Sequence, residues 1–379
     1  ECSSVVCCRV SPKQKAEVTE LVKRLANAIV LGIGDGANDV GMIQAAHIGC
    51  GISGREGRAA VMASDFSFAQ FSYLRRLLLV HGHWNFTRNE QVIFYAFYKN
   101  AAYVITNFYF AFASGFSAQP LFNALMIGTY NLFWASLPTV VHAATEQVLP
   151  AGTLNTNPQI YSEVSGRTQY RMRRVFCLWM LSGLWHSLAV YFIPMLVLYG
   201  YASVSGLMGS PNDLSILGLA VYTAAIITVN FKIAFFTRFF TWAMHVSLWP
   251  VSIGLWLLFI YLASLLYNSW FGLFPELSGV AEMAFREGSF WLAVALAPFI
   301  AMMPDFFCKA VQRNFFPGPM DIFAEVEKLK SKGNLEGGEE EAAATELHWM
   351  GEGVSAEKAQ GLIKLDKLLA RCSSFSLDS

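Results

Sequence analysis

The rhythm of apolar and polar positions changes three times along this chain. Over residues 1–74, short apolar runs alternate with helix-period stretches. Residues 5–10, 28–33 and 48–52 read as strands, and residues 12–25 and 40–46 as helices. Strands interleaved with helices predict parallel α/β structure. The segment is about half a domain and is too short to close a stable core by itself. Residues 75–90, RRLLLVHGHWNFTRNE, keep apolar residues at helical spacing with basic residues between them, which predicts a helical stalk. From residue 91 to 316 the apolar runs lengthen to the roughly 20 residues that a bilayer requires. Six spans are expected, over residues 91–114, 121–143, 175–200, 214–237, 242–267 and 289–312. The pattern is lost again over residues 317–379. Pro317, Pro319, the acidic GGEEE at 337–341 and the final SSFSLDS predict a largely disordered tail. A short amphipathic helix is possible there over residues 356–370.

Composition agrees with the membrane reading. The 379 residues are 55% hydrophobic and only 14% charged, where soluble domains carry about 25% charged residues. Phe (31) and Trp (10) are abundant, as lipid-facing helices and interfacial belts require. Lys plus Arg and Asp plus Glu both number 27, so no basic excess points to nucleic acid. Seven cysteines are scattered without disulfide framework or metal spacing and read as reduced thiols. Residues 1–10 lack a basic leader region, so a signal peptide is not expected, and the absence of an initiator Met predicts a chain that starts inside a domain. Arg167, Arg171, Arg173, Arg174, Arg238 and Arg313 fall after spans two, four and six, whereas the other connectors carry only Arg286. That asymmetry places the α/β region, the basic connectors and the C-terminus in the cytosol.

The most informative segment is residues 30–49, VLGIGDGANDVGMIQAAHIG. An apolar run ends in Gly34-Asp35-Gly36, where two glycines let the backbone turn and approach a ligand. Asp35 and Asp39 bring two carboxylates to the strand end, and Asn38 adds an amide. Such an oxygen set suits Mg²⁺ bridging to phosphate. A helix cap is the simpler use of the same residue types. The string resembles the hinge motif of P-type ATPases, within the haloacid dehalogenase superfamily. Cys7-Cys8-Arg9-Val10-Ser11-Pro12 with Gln14-Lys15 resembles the CCRVSPxQK stretch of the type IV branch, the phospholipid flippases. IQAAH at 43–47, GISG at 51–54, Glu56-Gly57, FYKN at 97–100 and GFSAQPLF at 115–122 continue the match. The resemblance implies a haloacid-dehalogenase-like partial α/β domain followed by an all-α bundle of six transmembrane helices. It implies that Asp35 coordinates Mg²⁺, that Asp39 shares the metal and its hydrogen-bond network, and that Asn38 orients phosphoryl oxygens. Lys15 aligns with the lysine that neutralises the transferring phosphate, and Arg9 with a nucleotide contact, ATP being the co-substrate. The family's DKTGT segment, whose Asp is phosphorylated, does not occur here. Neither do the nucleotide-binding domain, the actuator domain and the first four spans. The chain alone is therefore expected not to hydrolyse ATP.

The substrate reading rests on the spans. A cation pump needs carboxylates inside the bundle. Asp213 precedes span four, Glu146 follows span two, and Asp305 lies near the cytosolic end of span six, so no mid-membrane carboxylate is expected. Span one instead carries Lys99 beside Asn100, and span two carries Asn131. A lysine at that depth needs a partner; backbone carbonyls, a residue outside this chain and an anionic headgroup all qualify. His142 and His186 read as packing or interfacial residues. Together with the flippase resemblance these features point to ATP-driven movement of a membrane phospholipid, with Lys99, Asn100 and Asn131 on its path. A P-type cation pump and a non-catalytic truncated membrane protein are the alternatives. The resemblance also implies a small two-span accessory subunit as partner.

Overall fold

The computed structural model describes residues 4–26, 28–54, 58–161, 164, 169–200, 214–265, 277–315 and 317–331. The connector residues Arg167 and Asp213 and the helix considered over 356–370 lie outside the described residues. The chain forms two compact units, one comprising Glu1–Asn85 with Leu154–Tyr161 and the other the remainder.

In the first unit, α1 (Pro12–Leu25) starts where Ser11 and Gln14 cap each other. The Gln14 amide donates to Ser11 Oγ at 3.3 Å and the Ser11 amide to Gln14 Oε1 at 3.0 Å. This reciprocal bonding satisfies two donors that a helix start leaves open, and Pro12 needs none at that position. Strands β1 (Leu31–Gly34), β2 (Ile48–Ile52) and β3 (Phe66–Phe68) form a parallel sheet in the order β1-β2-β3. The intervening helices are α2 (Val40–Ala45) and α3 (Ala59–Ala63). They lie directly on β2: a Cβ on Gly49 would come within 2.5 Å of Ile43 Cγ2, and one on Gly51 within 2.7 Å of the Ala60 carbonyl. The glycines of the IGCGI strand are therefore a packing requirement.

Residues 5–10, expected as a strand, are irregular, and Val5 and Val6 are 77% and 85% exposed. A strand needs a hydrogen-bonding neighbour, and none of β1, β2 or β3 pairs with this segment. The three-residue β3 is too short to show an alternating pattern. On α1, Val18, Leu21, Val22 and Leu25 follow helical spacing, yet all are exposed.

In the second unit, the helices are α5 (His83–Ala113), α6 (Ala124–Thr145), α8 (Gln169–Met195), α9 (Leu214–Phe236), α10 (Trp242–Leu265), α11 (Val280–Arg286), α12 (Gly288–Phe315) and α13 (Pro319–Ser331). Two short helices, α4 (Tyr73–Arg76) in the first unit and α7 (Ala151–Thr156), complete the series. The stalk residues are helical, with a π-helical stretch Leu77–Gly82 between α4 and α5. Five helices among the described residues are long and apolar enough to cross a membrane: Ala124–Thr145, Met172–Tyr199, Leu214–Phe236, Trp242–Leu265 and Gly288–Phe315. The remaining expected span, the first, lies in the 31-residue α5, which is long enough but carries Lys99, Asn100 and Asn107. The segment expected to be largely disordered opens with α13. That helix is held by Arg238 to Asp321 at 2.7 Å and Thr153 to Glu327 at 3.0 Å.

Helix α9 is apolar all round and buried along most of its length, so it forms the centre of the bundle. Around it, Tyr103 stacks on Phe122 and Tyr130 at 4.8 and 4.2 Å, and Tyr222 meets Trp256 at 4.6 Å. Polar groups on it bond to neighbouring helices: Tyr222 Oη donates to the Met126 carbonyl at 2.7 Å, and Asn230 Nδ2 donates to Ser252 Oγ at 2.7 Å. Buried amides and hydroxyls in hydrocarbon require such partners.

Gly218 is where α9 meets the backbone before α6. A Cβ there would sit 2.4 Å from the Leu121 carbonyl oxygen. Gly218→Ala is expected to lower the stability of the detergent-solubilised full-length protein by about 1–3 kcal/mol, the usual cost of overpacking. Gly128→Ala, with nothing within 4 Å of the new carbon, is expected to leave thermal unfolding unchanged. Equal midpoints for the two variants would contradict the close approach at Gly218.

Candidate functional site

The polar end of the first unit is built by β1, α1 and the turn after Gly34. The capped start of α1 sets Lys15 on its first turn, and the Lys15 amide donates to the Ser11 carbonyl at 3.0 Å. Lys15 Nζ reaches Asp39 Oδ1 at 2.7 Å, and the Asp35 amide donates to Asp39 Oδ2 at 3.3 Å. Both carboxylate oxygens of Asp39 are thus engaged. Gly34 allows this: a Cβ there would lie 2.3 Å from Asp39 Cβ. Gly54 closes the other side, where a Cβ would be 2.9 Å from the Asp35 carbonyl.

Asp35 and Asn38 are exposed, and their side chains have no protein partner among the described residues. Arg9 is also exposed and adopts a left-handed φ of 56°. Lys15, Asp35 and Asp39 therefore come together, while among the described residues no hydrogen bond or ion pair joins Arg9 or Asn38 to them. Burial pushes the Asp39 carboxyl up, but the hydrogen bond and charge of Lys15, with the Asp35 and Gly36 amides, outweigh it. The group ends below its ordinary value. Among the described residues no three Asp, Glu, His or Cys side chains gather into a metal cage. Asp35 with Asp39 offers instead the one or two carboxylates with which proteins hold Mg²⁺ alongside water and phosphate.

In the second unit, α6 breaks around Ala135-Ser136, after a π-helical stretch Tyr130–Trp134. Pro138 has no amide hydrogen, so the Trp134 carbonyl four residues earlier loses its helical donor. Ser252 Oγ donates to that carbonyl at 2.5 Å. The next carbonyl, Ala135, accepts from Thr139 Oγ1 at 2.8 Å and from Lys99 Nζ at 3.3 Å. Lys99 Nζ also donates to Ser136 Oγ at 3.3 Å. Lys99 is 6% exposed, so of the partners expected for it, the backbone carbonyl is the one present. Asn100 and Asn131 are exposed; the Asn131 carbonyl accepts from Ser136 Oγ.

The sequence reading missed a second charged cluster. Lys232 on α9 lies 2.6 Å from Asp305 on α12 and 2.8 Å from Ser182 Oγ on α8. Asp305, expected near the cytosolic end of span six, is thus paired with a lysine of the neighbouring span. His186 on α8 bridges outward: Nε2 is 3.1 Å from Asp305 Oδ2, and Nδ1 is 2.5 Å from the Tyr98 hydroxyl on α5. The available signal was Lys232 itself, the only charge in its span and therefore in need of a partner. His142 is a buried bridge between Gln91 at 2.9 Å and Thr237 at 3.1 Å.

Residues 61–318 match a family model described as the C-terminal region of phospholipid-translocating P-type ATPases. Over 335 residues the chain is 40% identical to probable phospholipid-transporting ATPase 4 of Arabidopsis thaliana, covering 87% of this chain and 27% of that protein. It is 36% identical over 333 residues to phospholipid-transporting ATPase DRS2 of Saccharomyces cerevisiae, covering 86% and 24%. It is 37% identical over 334 residues to probable phospholipid-transporting ATPase IM of Homo sapiens, covering 87% and 28%. The chain spans about a quarter of the length of these relatives.

The low Asp39 value sets a pH window. A carboxylate held low in the folded state contributes stability above its unfolded value, about 3.9, and loses it as pH falls through the lower folded value. The stability difference between wild type and Lys15→Met is therefore expected to be constant well above the unfolded value of about 3.9 and to shrink progressively as pH falls below it. Thermal unfolding of the full-length protein against pH measures it. A difference undiminished at about pH 2 would show that Lys15 acts through something other than the Asp39 carboxylate.

Proposed function

The chain belongs to the phospholipid-translocating P-type ATPases, and from that premise we propose that the full-length protein moves a phospholipid between membrane leaflets using ATP. The reaction passes through an aspartyl phosphate whose Asp lies outside this chain, so the chain alone is inactive. The observation that carries the reading is the division of roles after β1. Asp39 has both oxygens engaged, by Lys15 and the Asp35 amide, while Asp35 is exposed with its carboxylate free of protein partners among the described residues.

Asp35 is the Mg²⁺ ligand in this reading, with Asp39 beside it in the same network. Bound there, Mg²⁺ would neutralise charge on the transferring phosphoryl group. Asp39 holds Lys15 in place, and the Lys15 ammonium, a compact point charge, faces the phosphate. Asn38, exposed beside them, orients phosphoryl oxygens, and Arg9 grips the nucleotide with its planar fork. The exposed stripe Val18, Leu21, Val22 and Leu25 and the open edge of β1 support a domain completed by other parts of the polypeptide.

Lys99 is the lipid contact in the membrane. Its two 3.3 Å contacts leave one ammonium hydrogen for a headgroup oxygen. Asn100 and Asn131 add polar groups to the same path. Asp305 does not favour a cation instead, because Lys232 already answers its charge. Six spans put the first unit and the C-terminus in the cytosol, following the arginine asymmetry. The family resemblance is what supports a two-span accessory subunit.

Two tests bear on this reading. Asp35→Asn in the full-length protein is expected to abolish Mg²⁺-dependent phosphoenzyme turnover, since a neutral amide is a weak ligand for a hard dication. Wild-type turnover in that variant would remove Asp35 from the metal site. Lys99→Ala is expected to raise the phospholipid concentration giving half-maximal ATPase stimulation by roughly tenfold, the loss of one charge-assisted contact. Unchanged lipid dependence in that variant would take Lys99 off the path.

A further inference from the structure

Lys99 does not fix its own position. Both of its hydrogen bonds measure 3.3 Å, beyond the usual range for such donors. Its direction is set by the helix that carries it. Residue 98 precedes it on α5, about 100° around the helix axis, and is held on several sides, beside the Tyr130 hydroxyl that donates to the Lys99 carbonyl at 3.0 Å. The Tyr98 hydroxyl meets His186 Nδ1 at 2.5 Å. The Tyr98 ring lies against Trp179 at 5.8 Å, edge to face, and under Lys232 Nζ at 5.3 Å. Gly183 on α8 packs against the ring: a Cβ there would lie 3.4 Å from Tyr98 Cδ2, in ordinary contact.

Behind Tyr98 stands the charged cluster. Lys232 is 2% exposed and lies over three rings, those of Tyr98, Trp179 and Phe236, at 5.1 to 5.3 Å. Its ammonium bonds Asp305 and Ser182, and Asp305 in turn faces His186. Four helices, α5, α8, α9 and α12, meet here. A buried ion pair is rarely more stable than apolar packing of the same volume, and its best-attested use is to specify one register. Here the register that it specifies includes the rotation of α5.

We propose that the Lys232–Asp305–His186 cluster is a positioning device for the lipid path: it holds Tyr98, and through Tyr98 the rotation of α5 that presents Lys99 to the break in α6. The inference rests on the reading of Lys99 as the lipid contact. Tyr98, His186, Lys232 and Asp305 are positioning residues, since none of them is placed against the lipid.

The test uses the purified full-length protein in detergent, titrated separately with phosphatidylserine, phosphatidylethanolamine and phosphatidylcholine. Lipid dependence of ATPase activity, phosphoenzyme level and thermal midpoint are measured on each preparation. Tyr98→Phe keeps the ring and removes the hydroxyl. It is expected to raise the half-maximal concentration of the stimulating lipid by roughly fivefold, about 1 kcal/mol at 1.4 kcal/mol per decade, with maximal turnover and phosphoenzyme level kept. His186→Gln, which retains a group opposite Asp305 but not opposite Tyr98, should behave alike. His186→Asn places an amide oxygen where Nδ1 stood, can accept the Tyr98 hydroxyl, and should restore lipid dependence to near wild type. If Lys99→Ala shifts the lipid dependence and Tyr98→Phe does not, the positioning role is overturned while the lipid reading stands. If Lys99→Ala shifts nothing, or no phospholipid stimulates the wild type, the lipid reading fails and this inference with it. If Tyr98→Phe and both His186 variants lose phosphoenzyme and thermal stability together, the cluster is structural only and the proposal is overturned.

Discussion

The salt bridge between Lys232 and Asp305, 2.6 Å long, answers the only charge on the helix most deeply buried in the bundle. An ammonium there without its carboxylate would be an uncompensated charge, which costs several kcal/mol. Because the partners sit on α9 and α12, with Ser182 and His186 of α8 completing the set, three helices must pack in one register for the charge to be met. The aromatic rings around Lys232 then have fixed places, and Tyr98 of α5 is among them. The same rule governs the uncharged groups of α9: Tyr222 and Asn230 each bond across to another helix, on α6 or α10. In a medium without water, satisfied polarity selects the packing that apolar contact alone would leave degenerate.

A second constraint acts through a missing donor. Pro138 leaves the Trp134 carbonyl without its helical partner, and α6 opens around Ala135-Ser136. Side chains from elsewhere enter the opening: Ser252 takes the Trp134 carbonyl and Lys99 the Ala135 carbonyl. The lysine is buried because the broken helix supplies acceptors, and it stays available because those contacts are long. A polar spot inside an apolar bundle thus comes from one proline, one serine and one lysine on three different helices. The first unit works in a related way, with Gly34 admitting Asp39 against the strand end so that a carboxylate can hold Lys15.

The first unit leaves apolar and strand-edge groups uncovered among the described residues. Its sheet has three parallel strands, and one edge of β1 is open. Four apolar residues on one face of α1 are exposed. Residues 5–10, apolar enough to be a strand, have no pairing neighbour among the described strands. The chain spans about a quarter of the length of the related ATPases.

The sequence by itself determined the local elements and the chemistry that local order can encode. Residues 12–25 match the observed α1 because Ser11, Pro12 and Gln14 write the helix start within four residues. Residues 48–52 match β2, and the GDGAND string marked the strand end where Asp35 and Asp39 stand. The apolar runs located five helices long and apolar enough to cross a membrane, since burial in hydrocarbon imposes a length that composition records. Only the tertiary structure decided which residues meet across the bundle. Lys232 and Asp305 are 73 residues apart in the chain, and Tyr98 and His186 are 88 apart. No local pattern couples residues so distant. His186 reads as packing until the helices bring Tyr98 to one nitrogen and Asp305 to the other. The strand at 5–10 fails for the converse reason: its pattern is correct for a sheet, but pairing is a property of a neighbour, and the described strands provide none.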